Sequence, residues 1–290
     1  MTGLPLTLDM QPLIEPALAR LRAGSAEQCL SDQRFSNLYL FRDVHEHRYL
    51  PGAWPCVSGR TYDGARHLMP LFALADAPTD VLRALLQGHD CFYPIARRDA
   101  ARLPPERFSQ SESPDDADYL YAARQFTDYP GRALAHKRSQ MRQLLAAHRL
   151  HAEPFGPASP AAAREVLQGW MRQKGKASGQ ADEHACAEAI AHAERLELEG
   201  FVHFADGQPV GFVLAQALQP GVYAMRFAKG LDSHVGIYPF MFQHFCRHFP
   251  RPVAWLNFEQ DMGLEGLRRS KRSYGPVALI SKLRVRLLPA

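Results

Sequence analysis

The chain has 290 residues, of which 46% are hydrophobic and 22% are charged. This composition excludes a disordered or fibrous protein and suffices for two domains or one large domain. The N-terminus lacks the basic start and apolar core of a signal peptide, and no stretch approaches the roughly 18 uninterrupted apolar residues of a membrane span. We therefore predict a cytoplasmic protein without an integral membrane segment.

The five cysteines are odd in number and widely spaced, with no C-x-x-C pair. This pattern favours a reducing compartment and argues against both a disulfide framework and a zinc site. His244 and His248 have a spacing that can bind metal on a helix, but no acid or third ligand accompanies them. We predict no metal site.

The formal net charge of +4 is unevenly distributed along the chain. Gly131–Leu150 is basic and contains no acid, and Met262–Ala290 contains a single acid among many cations. Asp182–Glu199, by contrast, is acidic. Such segregation favours a polyanionic partner, such as RNA or a phosphorylated ligand, and a solvated surface without a partner is the alternative.

The N-terminal half begins with a periodic pattern that predicts a helix over Leu8–Arg22 and then changes to short apolar runs broken by Gly and Pro turns. These runs predict strands, and a short helix is expected before the last of them. The predicted strands are Tyr49–Leu50, Trp54–Ser58, Leu68–Leu74 and Cys91–Ile95, and the short helix is Val81–Gln87.

The middle of the chain combines a basic helix with a segment that resembles a linker. Residues 131–150 have the apolar stripe of an amphipathic helix. Residues 153–160 contain three prolines and a glycine, which disfavour both helix and sheet. We therefore predict two domains, 1–152 with the basic connecting helix 131–150, and 153–290.

The pattern of the second half predicts two helices, three antiparallel strands, a helix, a strand, a basic helix and a last strand. This order resembles the GNAT acyltransferase fold, so the predicted class is α+β with mixed sheets flanked by helices. The predicted elements are helices from Ser159 and over Ala181–Leu198, strands Gly200–Phe204, Val210–Leu218 and Val222–Ala228, helix Ile237–Phe249, strand Val253–Asp261 and strand Val277–Val285.

The end of strand Val253–Asp261 is the most site-like stretch of the sequence. Alternation along a strand places Asn257, Glu259 and Asp261 on one face. The basic helix that follows carries Arg268 and Lys271 on a shared face. A pair of carboxylates therefore lies close in sequence to a group of cations.

Three motifs carry a family resemblance: Asp118-Tyr119-Leu120-Tyr121, Pro130–Leu134 followed by Lys137-Arg138, and the polar positions from Asn257 to Pro276. Together they resemble the DUF2156 family, which is related to the C-terminal catalytic domain of phosphatidylglycerol lysyltransferase. The resemblance implies tandem GNAT-like domains that move an aminoacyl group from aminoacyl-tRNA to a lipid headgroup or to a small amine or hydroxyl acceptor. The lipid enzymes carry transmembrane helices ahead of this domain and this chain has none, which disfavours a lipid acceptor.

Within this resemblance, Glu259, Asp261 and Asn257 are the predicted catalytic residues. A positioned carboxylate can manage the proton steps of aminoacyl transfer, and Asn257 can donate to the oxyanion or orient Glu259. The structural alternative is that the carboxylates cap or pair with the basic helix, and the position of Asp261 suits a helix cap.

Cations and one aromatic residue form the predicted substrate and tRNA contacts. Arg268 and Lys271 would neutralise tRNA phosphates or hold a substrate carboxylate, and Tyr274 would stack on a base, although a core position is the alternative for this tyrosine. The basic helix provides a second patch that would contact the tRNA backbone or simply be solvated. The residues of this patch are Lys137, Arg138 and Arg142.

The segment Lys229–Gly236 occupies the position at which CoA-dependent GNAT enzymes place a glycine-rich pyrophosphate loop. It lacks the Q/R-x-x-G-x-G/A spacing, and Asp232 would repel pyrophosphate. The departure argues against ordinary CoA use, and the family resemblance implies a soluble aminoacyltransferase that uses aminoacyl-tRNA and a small-molecule acceptor by direct attack, without a cofactor. The alternatives are an acyltransferase that uses acetyl-CoA or another acyl-CoA, and a non-catalytic module that binds RNA or another anion.

Overall fold

The structure is a computed structural model that describes residues 3–22, 24–177, 179–180 and 182–289. Its contacts group the chain into two units. The first unit comprises the described residues up to Tyr119, Gln260–Arg268 and the residues from Ala278 onward, and the second comprises Leu120–Glu259 and Arg269–Val277. Ala181, where a helix is predicted to begin, lies outside the described residues.

The first unit combines short helices with a mixed sheet. The predicted helix at the N-terminus is confirmed, and a strand is present at each position predicted in this half, but the one predicted over Leu68–Leu74 ends at Pro70. The elements are β1 (Leu4–Pro5), α1 (Gln11–Arg22), α2 (Phe35–Leu40), β2 (Arg48–Leu50), β3 (Cys56–Arg60), β4 (Arg66–Pro70), α3 (Thr79–Leu85), β5 (Cys91–Ala96), α4 (Arg97–Ala100), β6 (Phe108–Glu112) and the start of β7 (Asp118–Ala122).

The second unit contains the remaining elements except the last two strands. These are α5 (Arg124–Asp128), α6 (Ala135–Ala147), β8 (Leu150–Pro154), α7 (Ser159–Gln173), α8 (Glu183–Ala191), β9 (Glu199–Ala205), β10 (Gln208–Gln219), β11 (Val222–Gly230), α9 (Ile237–His248) and β12 (Trp255–Asn257). Helix α10 (Glu265–Arg272) has residues in both units, and β13 (Ala278–Ile280) and β14 (Lys282–Leu287) belong to the first unit.

The sheet of the first unit has the order β1–β2–β3–β4–β5–β14–β6. Neighbouring strands are antiparallel except β4 and β5, which are parallel because α3 crosses between them. Every residue of β5 is buried, as expected for a central strand covered on both faces. The apolar core includes Phe92 and Ile95 of β5 and Leu283 and Val285 of β14.

A buried ion cluster joins β14 to the N-terminal part of the first unit. The ammonium of Lys282 has no exposed surface and lies 2.8 Å from Asp118 Oδ1 and 2.6 Å from Asp32 Oδ2. Lys282 also donates a 2.6 Å hydrogen bond to Gln260 Oε1. Burial alone would lower the pKa of Lys282, but the two carboxylates outweigh it and raise the pKa, so the lysine stays charged.

The sheet of the second unit runs β7–β12–β11–β10–β9–β8, with β11 and β12 parallel and the other pairs antiparallel. The predicted meander β9–β10–β11 is confirmed. The turn between β9 and β10 contains Asp206 and Gly207, both with positive φ, as in the tight hairpin turns that match strand twist.

The two sheets are built by the same succession of elements. Each has an edge strand, a three-stranded meander, a crossover helix, a parallel fourth strand and then an antiparallel strand from a distant part of the sequence. That last strand is β14 in the first unit and β7 in the second.

The predicted domain boundary between residues 152 and 153 stays a prediction, and the structure places both residues in β8 of the second unit.

Three predicted elements are corrected by the structure. The predicted linker 153–160 is instead the end of β8 and the start of α7, because Pro154 ends an edge strand, where a missing N–H is tolerated. The predicted last strand is two strands interrupted at Ser281. The strand predicted over Val253–Asp261 is only Trp255–Asn257.

Among the helices of the described residues, none is both long enough and apolar enough to cross a lipid bilayer.

Candidate active site

Strand β12 ends in a turn that sets the position of Glu259. The buried side chain of Asn257 accepts a 2.7 Å hydrogen bond from the backbone N–H of Glu259. Glu259 has a φ of 57°, in the left-handed region that a non-glycine residue adopts only when its surroundings hold it there. The prediction that Asn257, Glu259 and Asp261 share a strand face is therefore wrong, because the local hydrogen bond replaces strand pairing after Asn257.

Lys271 secures the same turn from α10. Its ammonium donates to the carbonyl of Phe258 at 2.6 Å and to the carbonyl of Glu259 at 3.1 Å. Two backbone oxygens that lost their strand partners are thereby satisfied. These contacts give Lys271 a role in shaping the site, and its predicted contact with substrate stays a prediction.

The carboxylate of Glu259 pairs with Arg226 of β11, whose side chain is fully buried. The register between β10 and β11 shifts at this point, from Leu214 opposite Phe227 to Ala215 opposite Met225, so Arg226 is the extra residue of a β-bulge. The guanidinium also donates to Gln216 Oε1 at 3.2 and 3.1 Å. The bulge thus places the buried guanidinium of Arg226 next to the Glu259 carboxylate.

The Glu259 side chain retains 16% of its exposure despite this pairing. A carboxylate that is fixed by Arg226 and still reaches solvent is available to an incoming N–H or O–H group. The same pairing sets the cationic guanidinium of Arg226 directly against the Glu259 carboxylate. The arrangement suits a group that receives a proton briefly and passes it on.

Tyr274 and Lys137 lie beside this turn. Tyr274 is buried among aromatic rings, including Phe258 at a centroid distance of 6.2 Å, and burial raises the pKa of its hydroxyl. The ammonium of Lys137 lies 4.1 Å from the centroid of the Tyr274 ring. Burial lowers the pKa of Lys137, and no acidic residue of the described chain forms an ion pair with it. The core position that was the alternative for Tyr274 is the one observed.

The other two cations of the basic helix differ in their surroundings. Arg138 donates to the carbonyls of Tyr129 and Gly131, the latter at 2.8 Å, and so holds the loop ahead of α6. Arg142 is exposed and forms no ion pair with any described residue. The guanidinium of Arg142 is therefore accessible to an anion. The guanidinium of Arg138 is occupied by hydrogen bonds to backbone carbonyls of the protein itself.

Asp261 and Arg268 belong to the first unit, where they pair with each other. Arg268 donates to both oxygens of Asp261, at 2.8 and 2.9 Å, and to Asp115 at 2.5 Å. Asp261 has no exposed surface and also accepts a 2.6 Å hydrogen bond from the Tyr119 hydroxyl. The hydrogen bonds from Arg268, followed by that from Tyr119, lower the pKa of Asp261 to about 2.

These contacts favour the structural alternative for Asp261. A carboxyl group with a pKa of about 2 is a poor proton acceptor near neutral pH. Asp261 does not cap α10, which begins at Glu265; its side chain accepts from the N–H of Gly263 at 2.9 Å and closes the turn before the helix. The catalytic role of Asp261 stays a prediction, and its geometry gives that role no support.

Sequence reasoning did not find Arg226 and Gln216. A detectable signal was present, because Arg226 is the one charged side chain between Val222 and Ala228, a run predicted to be a buried strand. A charge in such a run needs a partner. What the sequence does not contain is the bulge that points Arg226 toward Glu259.

The architecture is a GNAT-like fold with mixed sheets flanked by helices. The sequence matches the family described as "Phosphatidylglycerol lysyltransferase, C-terminal" over residues 25–285, and the chain belongs to this family. The resemblance to DUF2156 is thereby confirmed. The sequence matches none of the curated proteins.

Solved structures that share the fold include the following three. A conserved protein of unknown function from Bacteroides thetaiotaomicron VPI-5482 has a TM-score of 0.80 and 21% identity, with 100% of both chains covered. The C-terminal domain (DUF2156) of a putative lysylphosphatidylglycerol synthetase from Agrobacterium fabrum has a TM-score of 0.64 and 12% identity, with coverage of 98% of this chain and 93% of that chain. L-PGS from Bacillus licheniformis has a TM-score of 0.62 and 16% identity, with coverage of 100% and 95%.

Proposed function

We propose that the chain is an aminoacyltransferase that moves an aminoacyl group from aminoacyl-tRNA to a small amine or hydroxyl acceptor in the cytoplasm. The observation that carries the proposal is the Glu259 carboxylate, fixed by Arg226 and a left-handed turn but still partly exposed. Membership of the lysyltransferase family supports the reaction class. No cofactor is needed, because the acceptor attacks the aminoacyl ester directly.

In the proposed reaction, Glu259 accepts a hydrogen bond from the attacking N–H or O–H. As the new bond to the carbonyl carbon forms, the attacking atom becomes a much stronger acid, so a weak base can take its proton. The bond from the carbonyl carbon to the ribose oxygen then breaks, and the proton passes from Glu259 to that oxygen. Arg226 stays paired with the carboxylate and holds it in position for both transfers.

We assign to Lys137 the role of binding the negative charge of the aminoacyl-tRNA donor. It is half-buried beside the Glu259 turn and has no acidic partner in the described chain. A cation that is partly removed from water interacts more strongly with an anion than a fully solvated one. Arg142, one helical turn from Arg138 on α6, adds a contact with the tRNA backbone that carries no sequence information.

The loop between β11 and α9 supports aminoacyl-tRNA over acyl-CoA. Pyrophosphate would need free backbone N–H groups in this loop. The N–H of Leu231 instead donates to Val210 at 2.9 Å, that of Asp232 to the Gln173 side chain at 2.7 Å, and that of His234 to Leu231 at 3.0 Å.

The N-terminus of α9 is also closed to a pyrophosphate group by close packing. A Cβ atom on Gly236 would lie 2.4 Å from the carbonyl oxygen of Gln140, which shows how closely α6 packs here.

The proposal is tested by incubating the protein with mixed aminoacyl-tRNAs and pooled amine and hydroxyl acceptors. We expect acceptor-dependent loss of one aminoacyl-tRNA species. Glu259→Gln keeps an oxygen acceptor but cannot take a proton, so we expect roughly a hundredfold lower kcat or more, with little change in binding of the aminoacyl-tRNA. Glu265→Gln, which alters an exposed acid on α10, is the matched control.

Two results would contradict the proposal. One is the absence of loss of any aminoacyl-tRNA together with turnover of acetyl-CoA. The other is full activity of Glu259→Gln.

A matched pair of lysine variants tests the contact between Lys137 and the aminoacyl-tRNA donor. Lys137→Met should raise the KM for aminoacyl-tRNA, whereas Lys176→Met, on an exposed loop of the same unit, should not.

A further inference from the structure

The first unit contains a cavity of about 510 Å³ on the meander β2–β3–β4. None of the predicted site residues lines it. Four arginines line this cavity, which we call the arginine cavity: Arg42, Arg48, Arg60 and Arg66. Its volume falls in the range of roughly 300–1,000 Å³ that is usual for small-molecule sites.

The strand register places two of these arginines directly opposite each other. Arg60 of β3 pairs with Arg66 of β4 in the antiparallel ladder. Like charges at opposite positions repel each other and destabilise a strand pair. Glu46 lies 3.0 Å from Arg60 and offsets one of the two charges. The guanidinium of Arg66 forms no ion pair with any described acidic residue, and its backbone N–H donates to Asp90 Oδ2 at 2.7 Å.

Arg48 is the second unpaired cation of the cavity. It lies on β2 opposite Ser58 of β3, is exposed, and forms no ion pair with any described residue. Arg42 differs, since it stacks on Tyr39 and approaches Asp43 at 3.8 Å.

The cavity as a whole has an excess of positive charge. Its charged lining comprises the four arginines against Asp43 and Glu46 only. His47 and His89 also line the cavity, and burial lowers the pKa of both, with the charge of Arg66 adding to the effect at His89. The excess is therefore carried by arginines at all physiological pH values, because guanidinium groups do not lose their proton in proteins.

Tight packing behind β3 leaves no room for a side chain at Gly59. A Cβ atom at Gly59 would lie 2.6 Å from the ring of His47 and 2.8 Å from the ring of His67. A larger residue would push these rings aside. The strand between Arg48 and Arg66 consequently presents a hydroxyl at Ser58 and bare backbone at Gly59.

We propose that the arginine cavity binds the phosphate groups of a small phosphorylated molecule. Guanidinium groups match phosphate oxygens with paired, charge-assisted hydrogen bonds. Arg48 and Arg66 lie on strands two ladder spacings apart, roughly 10 Å, so their long side chains can hold one diphosphate between them. Binding relieves the repulsion between Arg60 and Arg66. This site is separate from Glu259 and does not rest on the proposed aminoacyl transfer.

The test is calorimetric titration of the full chain with pyrophosphate at low salt. We expect saturable one-to-one binding that weakens as salt is added. Arg48→Ala and Arg66→Ala should each raise the Kd about tenfold, since each removes a charge-assisted contact. Arg83→Ala, which alters an exposed arginine of the same unit outside the cavity, should leave the Kd unchanged.

Parallel titrations with inorganic phosphate, a nucleoside diphosphate and uncharged tRNA identify the source of the phosphate. Tighter binding of pyrophosphate or the nucleoside diphosphate than of inorganic phosphate supports a site that spans two phosphate groups. The proposal is overturned by no saturable binding of any small phosphate, by binding of tRNA alone, or by an equal effect of Arg83→Ala. Circular dichroism of each variant confirms that the fold is intact.

Discussion

The substitution Asp261→Asn tests whether Asp261 acts as a structural ion-pair partner. The asparagine keeps the shape of the side chain but loses the charge and turns an N–H donor toward the donors of Arg268. In the native protein, Asp261 has no exposed surface and accepts hydrogen bonds from Arg268, Tyr119 and Gly263. We expect a lower free energy of unfolding for the variant.

The size of the expected loss in unfolding free energy follows from the pKa of Asp261. A carboxyl group whose pKa falls from 3.8 to about 2 on folding gains at most about 2.5 kcal/mol. Because the Arg268 side chain is 29% exposed, solvent screening reduces the expected loss to about 1–2 kcal/mol. The folded-state pKa is depressed, so this stability is fully present above about pH 4 and is lost as the pH falls toward 2.

The assay is urea unfolding of both proteins between pH 7 and pH 3. The difference between native protein and variant should be constant from pH 7 to pH 5 and shrink below pH 4. Asp115→Asn is the matched control, since Asp115 contacts the same arginine but is 51% exposed, and it should cost under about 1 kcal/mol. Equal losses for the two variants, or a difference independent of pH down to pH 3, would refute the reasoning.

Three further predictions concern other buried groups. Lys282→Met should destabilise the protein by about 3–5 kcal/mol in urea unfolding, because it leaves the buried carboxylate of Asp118 and the partly exposed carboxylate of Asp32 without their cation; a loss below about 1 kcal/mol would contradict this. Burial lowers the pKa of His47 to about 4, so an NMR titration should show its ring neutral at pH 6, and a midpoint near 6.5 would argue against this burial. Gly236→Ala should lower the midpoint of thermal unfolding, because Gly236 has a φ of 101° and its Cβ would meet Gln140, whereas Gly266→Ala on α10 meets nothing and should be neutral or stabilising.

Much of the site's composition was predictable from the sequence, but its arrangement was not. Asn257, Glu259, Lys271 and Tyr274 lie within one stretch whose polar spacing is visible without a structure. Strand alternation failed for Glu259, because its backbone N–H donates to the Asn257 side chain instead of a neighbouring strand, and periodicity does not reveal such local competition. Only the folded chain places Arg226 against Glu259.

The sequence by itself determined the class of this protein. Apolar periodicity, turn residues and helix boundaries are local properties, and they specified the meander, the helices and the GNAT-like order of the second half. The polar motif from Asn257 to Pro276 specified the family for the same reason, since its residues are close together in the chain.

Tertiary structure alone decided how each sheet is completed and which charges meet. Strands β14 and β7 enter sheets formed by distant parts of the sequence, and no local signal encodes such a partner. The same holds for the pairing of Lys282 with Asp32 and Asp118. A sequence shows which residues are charged, but burial and the identity of the partner decide whether a charge stabilises the fold or remains available to a substrate.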